Sequence, residues 1–278
     1  MSIRSFAAAS FFACASLALA QTPVIAPGGV LNGASFDKTG QPIPAGALVS
    51  IFGSNLSAAS ASADSVPLST TLSGVTVTFN GVAAPLKDVV HSAANGDQVN
   101  AQVPWEALAV GANSGTAQVI VTRNGVASSP LPITVGAAAP GIFTFPGGVG
   151  QAVAYGNSDG AIAAPINSGL PFASHAAKIG DQSTLVILAT GLGPVTPPVK
   201  TGFSANDGQL HQTTTAPKVT VGGVPAQVVF AGMTPQFVGV YQLNIVIAAG
   251  TPTGNAVPLQ ISMNGVTSRN DVTIAVSQ

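Results

Sequence analysis

The sequence predicts an all-β chain built as two tandem sandwiches. Three observations carry that reading: apolar and polar residues alternate at period two, Asn-Gly pairs separate the alternating runs, and the series of runs occurs twice. After residue 20 no segment offers a long apolar stripe at helical spacing with caps. The chain is 46% hydrophobic, so its 32 glycines and 21 prolines read as turns between strands rather than as a disordered linker.

Residues 1–20 stand apart. Arg4 gives a positive start, Phe6 to Ala20 is an apolar run, and Ala18-Leu19-Ala20 is a small-x-small signal before Gln21. These are the parts of a secretory signal peptide cleaved after Ala20. The apolar run falls short of the roughly 20 residues that span a bilayer. A secreted or cell-envelope location is therefore expected, with no membrane span in the mature chain. A lipoprotein modified at Cys14 would want a Leu-like residue three positions earlier, where Phe11 stands. Cys14 is the only cysteine, so cleavage leaves no thiol, disulfide or cysteine metal ligand. Cleavage also removes Arg4, leaving seven basic against nine acidic residues. With 6% charged residues, no basic patch exists for nucleic acid or anionic lipid.

An N-terminal segment, 21–44, leads into a first sandwich over 45–136. Val75, Val77 and Phe79 alternate with Thr76 and Thr78 before Asn80-Gly81. Val119 and Val121 alternate with Ile120 and Thr122 before Asn124-Gly125, and Pro132 to Val135 follows. Asn-Gly between such runs is a hairpin signal, because both turn residues take positive φ. A connector, 137–178, begins with APGIF (139–143) and holds a hairpin in which Gln151–Tyr155 meets Ala161–Ala164. It is expected to pack between the sandwiches and fix them as a rod.

The second sandwich, 179–278, repeats the first. SIFGSNL (50–56) answers to ILATGLG (187–193), and GVTVTFNGVAAPL (74–86) to KVTVGGVPAQVV (218–229). QVNAQVPW (98–105) answers to QLNIVIAA (242–249), and AQVIVTRNGVASSPLPITV (117–135) to VPLQISMNGVTSRNDVTIAV (257–276). Four blocks in one order mark a duplication. About seven short strands per ~100 residues is the pattern of an immunoglobulin-like sandwich.

The third pair of blocks holds the candidate contact residues. Val99, Ala101 and Val103 point one way and Gln98, Asn100 and Gln102 the other; Leu243, Ile245 and Ile247 likewise oppose Gln242 and Asn244. An Asn here is expected to tie a neighbouring loop through its amide, ahead of touching a ligand. Trp105 beside Glu106, and Tyr241 before the equivalent strand, are candidate sugar platforms, although packing at the domain boundary is the expected use of both.

Other chemistry is thin. Gly156-Asn157-Ser158-Asp159-Gly160 is a literal G-x-S-x-G, followed by Asp207 and His211 in hydrolase order, but no helical pattern follows Ser158. It reads as a turn. His91, His175 and His211 are scattered without metal-ligand spacing, and no cofactor is implied. Asn157, Asp159 and Asp207 could offer oxygens to Ca²⁺, yet the loop is too short for an EF-hand and lacks its closing Glu. Glu106 is the only Glu, and Asp88 and Asp97 are its nearest acidic neighbours in sequence, so a glycosidase pair is not evident.

The blocks LNGASF (31–36), PAGALVSIFGSNL (44–56), VTFNGVAAPL (77–86), QVNAQVPWE (98–106), APGIF (139–143), ATGLGPVTPPV (189–199) and FVGVYQLNIVI (237–247) resemble the Solibacter-type C-terminal domain family. The resemblance covers nearly all of residues 30–276, and each half is similar to IPT/TIG immunoglobulin-like modules. It implies an exported bacterial β-sandwich protein and supplies no catalytic residues. The expected function is a non-catalytic structural or adhesion-type module of the envelope or extracellular space. The alternative is a binding module for polysaccharide or another envelope protein. A secreted hydrolase rests on the G-x-S-x-G alone and ranks last.

Overall fold

A computed structural model describes residues 21–278 except Val110; the expected signal peptide and Cys14 lie outside the described residues. The described chain is all-β. Its one helical element is a 3₁₀ turn at Trp105–Ala107.

In the first half, β1 (Val24–Asn32) and β3 (Leu48–Ser54) pair antiparallel, and β3 pairs with β8 (Asp97–Gln102). The sheet continues through β7 (Leu86–Val90) to the short β4 (Ala61–Ser62). A second sheet runs from β2 (Ile43–Pro44) through β11 (Leu131–Gly136) and β9 (Gly115–Arg123) to β5 (Val75–Phe79) and β6 (Val82–Ala83), with β10 (Val126–Ala127) on β9. The alternation read in the sequence selects the faces: Val75, Val77, Phe79, Val99, Val119 and Val121 are fully buried between the two sheets. Asn80-Gly81 and Asn124-Gly125 turn with positive φ at both residues, as the Asn-Gly signal requires.

The second half repeats this plan. β17 (Leu185–Thr190), β20 (Lys218–Val221), β21 (Val224–Met233), β22 (Tyr241–Val246), β23 (Gly254–Met263), β24 (Val266–Thr267) and β25 (Val272–Ser277) stand where β3, β5, β6 with β7, β8, β9, β10 and β11 stand in the first. Here the two layers are one continuous sheet. Strand β21 pairs with β20 over its first residues and with β22 over the rest, so the sheet folds around its core at that strand. In the first half Pro85 falls between β6 and β7, at the position of Gln227 in the repeat. Gln227 pairs with Val246, whereas proline has no N–H to give to a ladder. Pro85 still accepts from Gln102 N at 2.9 Å, so the two halves differ here by one donated ladder bond.

Residues 137–178, the expected connector, supply five short strands to the second sheet. Both β12 (Gly141–Ile142) and β15 (Ala154–Gly156) pair with β17, in the same sense as β1 on β3. Between them β13 (Thr144–Pro146) and β14 (Gly150–Ala152) form a hairpin, where β1 has only a bulge at residues 26–29. Strand β16 (Ala177–Lys178) runs parallel to β25 as β2 does to β11. The pairing expected across the NSDG turn is present, with Tyr155 bridging Ile162. The N-terminal segment 21–44 likewise supplies β1 and β2 to the first half. Two smaller strands, β18 (Val195–Thr196) and β19 (Gln212–Thr213), extend the second sheet beside β21.

Candidate functional site

The recurring Gln-x-Asn is a side-chain pair along one strand face. Gln98 Nε2 donates to Asn100 Oδ1 at 2.7 Å, and Gln242 Nε2 donates to Asn244 Oδ1 at 3.3 Å. On β3, Ser50 Oγ also donates to Asn100 Oδ1 at 2.7 Å. These amides are half-buried on the outer face of their sheets. Neither Asn ties a loop, contrary to expectation, because serine or glutamine side chains on the same face occupy its amide oxygen.

The loop-tying amide is Gln102. It is fully buried, donates Nε2 to Gly46 O at 3.3 Å, and accepts from Gly202 N at 2.7 Å. Gly202 belongs to the second half, so Gln102 sits in a junction between the halves and offers nothing to a ligand. Tyr241 is also fully buried, its hydroxyl donating to Gly193 O. Burial pushes that phenol far above its ordinary pKa, so it stays a neutral donor. Trp105 lays its indole over Gly46 and packs on the second core, while its N–H backbone group donates to Thr201 Oγ1 at 3.1 Å. Thr201 Oγ1 in turn donates to Glu106 Oε2 at 2.7 Å. Of the six candidates, Gln102 and Tyr241 are fully buried, while Gln98, Asn100, Asn244 and Trp105 are half-buried, Trp105 with its ring against Gly46.

Other bonds cross the same seam. Thr190 Oγ1 accepts from Leu48 N at 2.9 Å and donates to Gly239 O at 2.7 Å. Asn32 Nδ2 donates to Ala139 O at 3.1 Å, and Leu68 N to Gly202 O at 2.9 Å. The blocks LNGASF, PAGALVSIF, QVNAQVPWE, APGIF, ATGLG and FVGVYQLN therefore meet in space. Sequence reasoning found the words without finding that they share one junction, since each contact joins residues about 50 to 140 positions apart.

The catalytic alternative does not assemble. Ser158 Oγ donates to Ser183 Oγ at 3.3 Å, and Asp159 Oδ1 accepts from Ala161 N, closing a turn at Gly160 with φ +70°. No helix follows Ser158. Asp207 and His211 pair with each other. Of the acids weighed for sugar cleavage, Glu106 is bound to Thr201, Asp88 to Lys87 and Asp97 to His91. Among the described residues no three His, Cys, Asp or Glu side chains gather as a metal site.

All three histidines face an aspartate: His91 with Asp97 at 2.8 Å, His175 with Asp159 at 2.7 Å, His211 with Asp207 at 2.9 Å. In two of them the other ring nitrogen also faces an acceptor, Ala176 O at 3.0 Å for His175 and Pro197 O at 2.7 Å for His211. Only an imidazolium can donate from both nitrogens. The Ala176 carbonyl and the Asp159 carboxylate accordingly raise the His175 pKa. Burial works against the His211 charge, but Asp207 and Pro197 O outweigh it and raise that pKa too. Asp159 and Asp207 are held low, first by their histidines and then by the Ala161 and Gln209 N–H groups. For Asp97, burial is outweighed by donation from Ser57, His91 and Ser92.

Linkage gives the sign. The histidine contribution is complete below an unfolded pKa of roughly 6.5 and is lost as pH climbs through the higher folded value. The aspartate contribution is present above roughly 3.9 and is lost as pH falls through the lower folded values. Stability should peak between those limits. Urea midpoints measured from pH 5 to pH 9 should fall on the alkaline side, and His175→Gln with His211→Gln should flatten that decline. An unchanged alkaline slope in the double variant would refute the assignment.

No helix among the described residues is long and apolar enough to cross a membrane. No family model matches the chain, and no curated protein does. Solved structures similar to it include the I9–I11 tandem from titin, at 13% identity over 92% of this chain and 67% of that one, with a TM-score of 0.22. The tandem Ig repeats of Dlar align at 11% identity over 92% and 98%, TM-score 0.22. The titin Ig tandem A164–A165 aligns at 12% identity over 85% and 91%, TM-score 0.19. At such scores the fold is read from the chain's own strand pairing.

Proposed function

We propose that the chain is an exported, non-catalytic bacterial module in which two IPT/TIG-like immunoglobulin sandwiches are fused into one fixed body, serving a structural or adhesion role in the envelope or extracellular space. The observation that carries this reading is the buried junction around Gln102, Thr190 and Trp105. Independent domains on a tether have no use for buried amide and hydroxyl bonds between them, since each such group is costly to desolvate unless paired. The apolar run Phe6–Ala20 supports export, and most of the blocks that resemble the Solibacter-type family lie at the junction.

A second reading, a binding module for polysaccharide or an envelope protein, is favoured by the half-exposed Gln98–Asn100 amide pair, which matches sugar hydroxyls in kind. The test is retention of purified residues 21–278 on isolated bacterial envelope and on insoluble polysaccharides, beside a Gln98→Ala/Asn100→Ala variant, with solution scattering on the same samples. The structural reading expects one rigid scattering envelope and no loss of retention in the variant. Retention on polysaccharide that the variant abolishes would replace it with the second reading. A broad interdomain distribution would overturn the fixed body.

A further inference from the structure

The end of the second sandwich away from the junction opens into a cleft of ≈ 530 Å³, within the size range of small-ligand sites. It lies where the first strand of that half leaves one layer for the other. Strand β15 lines it from the β17 side and β16 from the β25 side, so the cleft reaches between the layers. Behind it lie Leu185, Ile245, Ile247 and Ala163, buried members of the second core, and its accessible apolar wall is made by Ile166, Ala176 and Ala177.

The mouth is polar and its charges are sorted. Asp159 and His175 are paired with each other across one side. On the other side Lys178 and Asp181 stand at the two ends of one tight turn, with Asp181 N donating to Lys178 O. Neither Lys178 nor Asp181 belongs to an ion pair within 4.0 Å among the described residues. Asp181 Oδ1 accepts from Ser183 N at 2.8 Å. Donation from the Ser183 backbone and hydroxyl, with Lys178 nearby, holds that carboxyl below its ordinary pKa and keeps it ionised. Thr184 Oγ1 also lines the cleft, buried and without a hydrogen-bond partner in the chain, on a residue held at φ +70°. A β-branched residue rarely adopts that conformation.

One unpaired cation, one unpaired anion and an apolar wall define the complementary ligand. We propose that this cleft binds a small zwitterion bearing an apolar side chain, an apolar amino acid or a free-ended dipeptide. The ligand carboxylate meets Lys178, its ammonium meets Asp181, and its side chain packs on Ile166, Ala176 and Ala177. A purely anionic amphiphile would leave Asp181 without a partner, and a purely cationic one would leave Lys178 without one. This site is separate from the amide stripe and independent of which reading of the module holds.

The test is calorimetric titration of residues 21–278 with L-leucine and L-leucyl-L-leucine at pH 6, where the raised pKa of His175 keeps it charged. Two analogues each lack one charge, 4-methylpentanoate and isoamylamine. Saturable binding of leucine or the dipeptide is expected, weakened about tenfold or more in each analogue and in Lys178→Met and Asp181→Asn, since ~1.4 kcal/mol per lost ionic contact is a factor of ten. Lys178 and Asp181 are exposed, so both variants should keep the wild-type thermal midpoint. No saturable binding of either zwitterion, equal binding of an analogue, or indifference to both substitutions would overturn the proposal.

Discussion

Gly46→Ala is expected to destabilise the chain by about 2–4 kcal/mol, far more than one methyl group normally does. Gly46 has φ +77°, where an L side chain is strained, and a Cβ there would land inside the Trp105 indole. The indole cannot simply retreat, because it packs on the second core. Overpacking of that kind costs roughly 1–3 kcal/mol beyond the backbone strain. Pushing Trp105 out also pulls on Thr201 and on Gly202, the partner of Gln102. Urea unfolding should show the loss, and scattering should show a wider distribution of angles between the halves. A variant within ~0.5 kcal/mol of the parent would mean that the indole seat is soft and the junction is not what fixes the body.

Phe79→Ala should cost about 3–5 kcal/mol and Leu243→Ala about 2–5 kcal/mol, the range for emptying a packed core site. Both residues are fully buried, Phe79 in the first core and Leu243 in the second. The informative result is the shape of the transition. With the junction buried and hydrogen-bonded, either half unfolding alone would give up the bonds of Gln102 and Thr190 and the packing of Trp105 on the second core. A single transition that shifts as a whole in both variants is therefore expected, followed by fluorescence of Trp105 and by far-UV dichroism together. Two transitions, with each substitution moving only its own, would show that the halves fold independently.

The strand cores were legible because their signal is local. Period-two runs such as Val75–Phe79 and Leu243–Ile247, and the paired positive φ of Asn80-Gly81 and Asn124-Gly125, need no partner to be recognised. The duplication was legible because four blocks kept their order. Strands β12 to β16 were not assigned to the second sheet for the opposite reason. At two or three residues each they carry no period, and their place depends on β17 and β25, which come later in the chain. The candidate site divided along the same line. Gln98 and Asn100 are where alternation puts them, on a surface stripe. Gln102 shares their face, but a loop from the other half covers it, and nothing within QVNAQVPW signals that cover. Trp105 went to the boundary because a large apolar ring finds its best burial there.

The parallel strand pairs at the ends of each half govern how the chain would respond to tension. In the first half, β2 and β11 share two residue pairs, Ile43 with Val135 and Pro44 with Gly136. In the second, β25 is held twice, by β14 at Gly150 and Gln151 and by β16 at Ala177 and Lys178. A pull along the chain loads such parallel pairs in shear, so their bonds must fail together rather than one after another. The second half has twice the clamp. Under force applied at the two ends, the smaller clamp of the first half is therefore expected to open at the lower load, even though denaturant is expected to unfold both halves together.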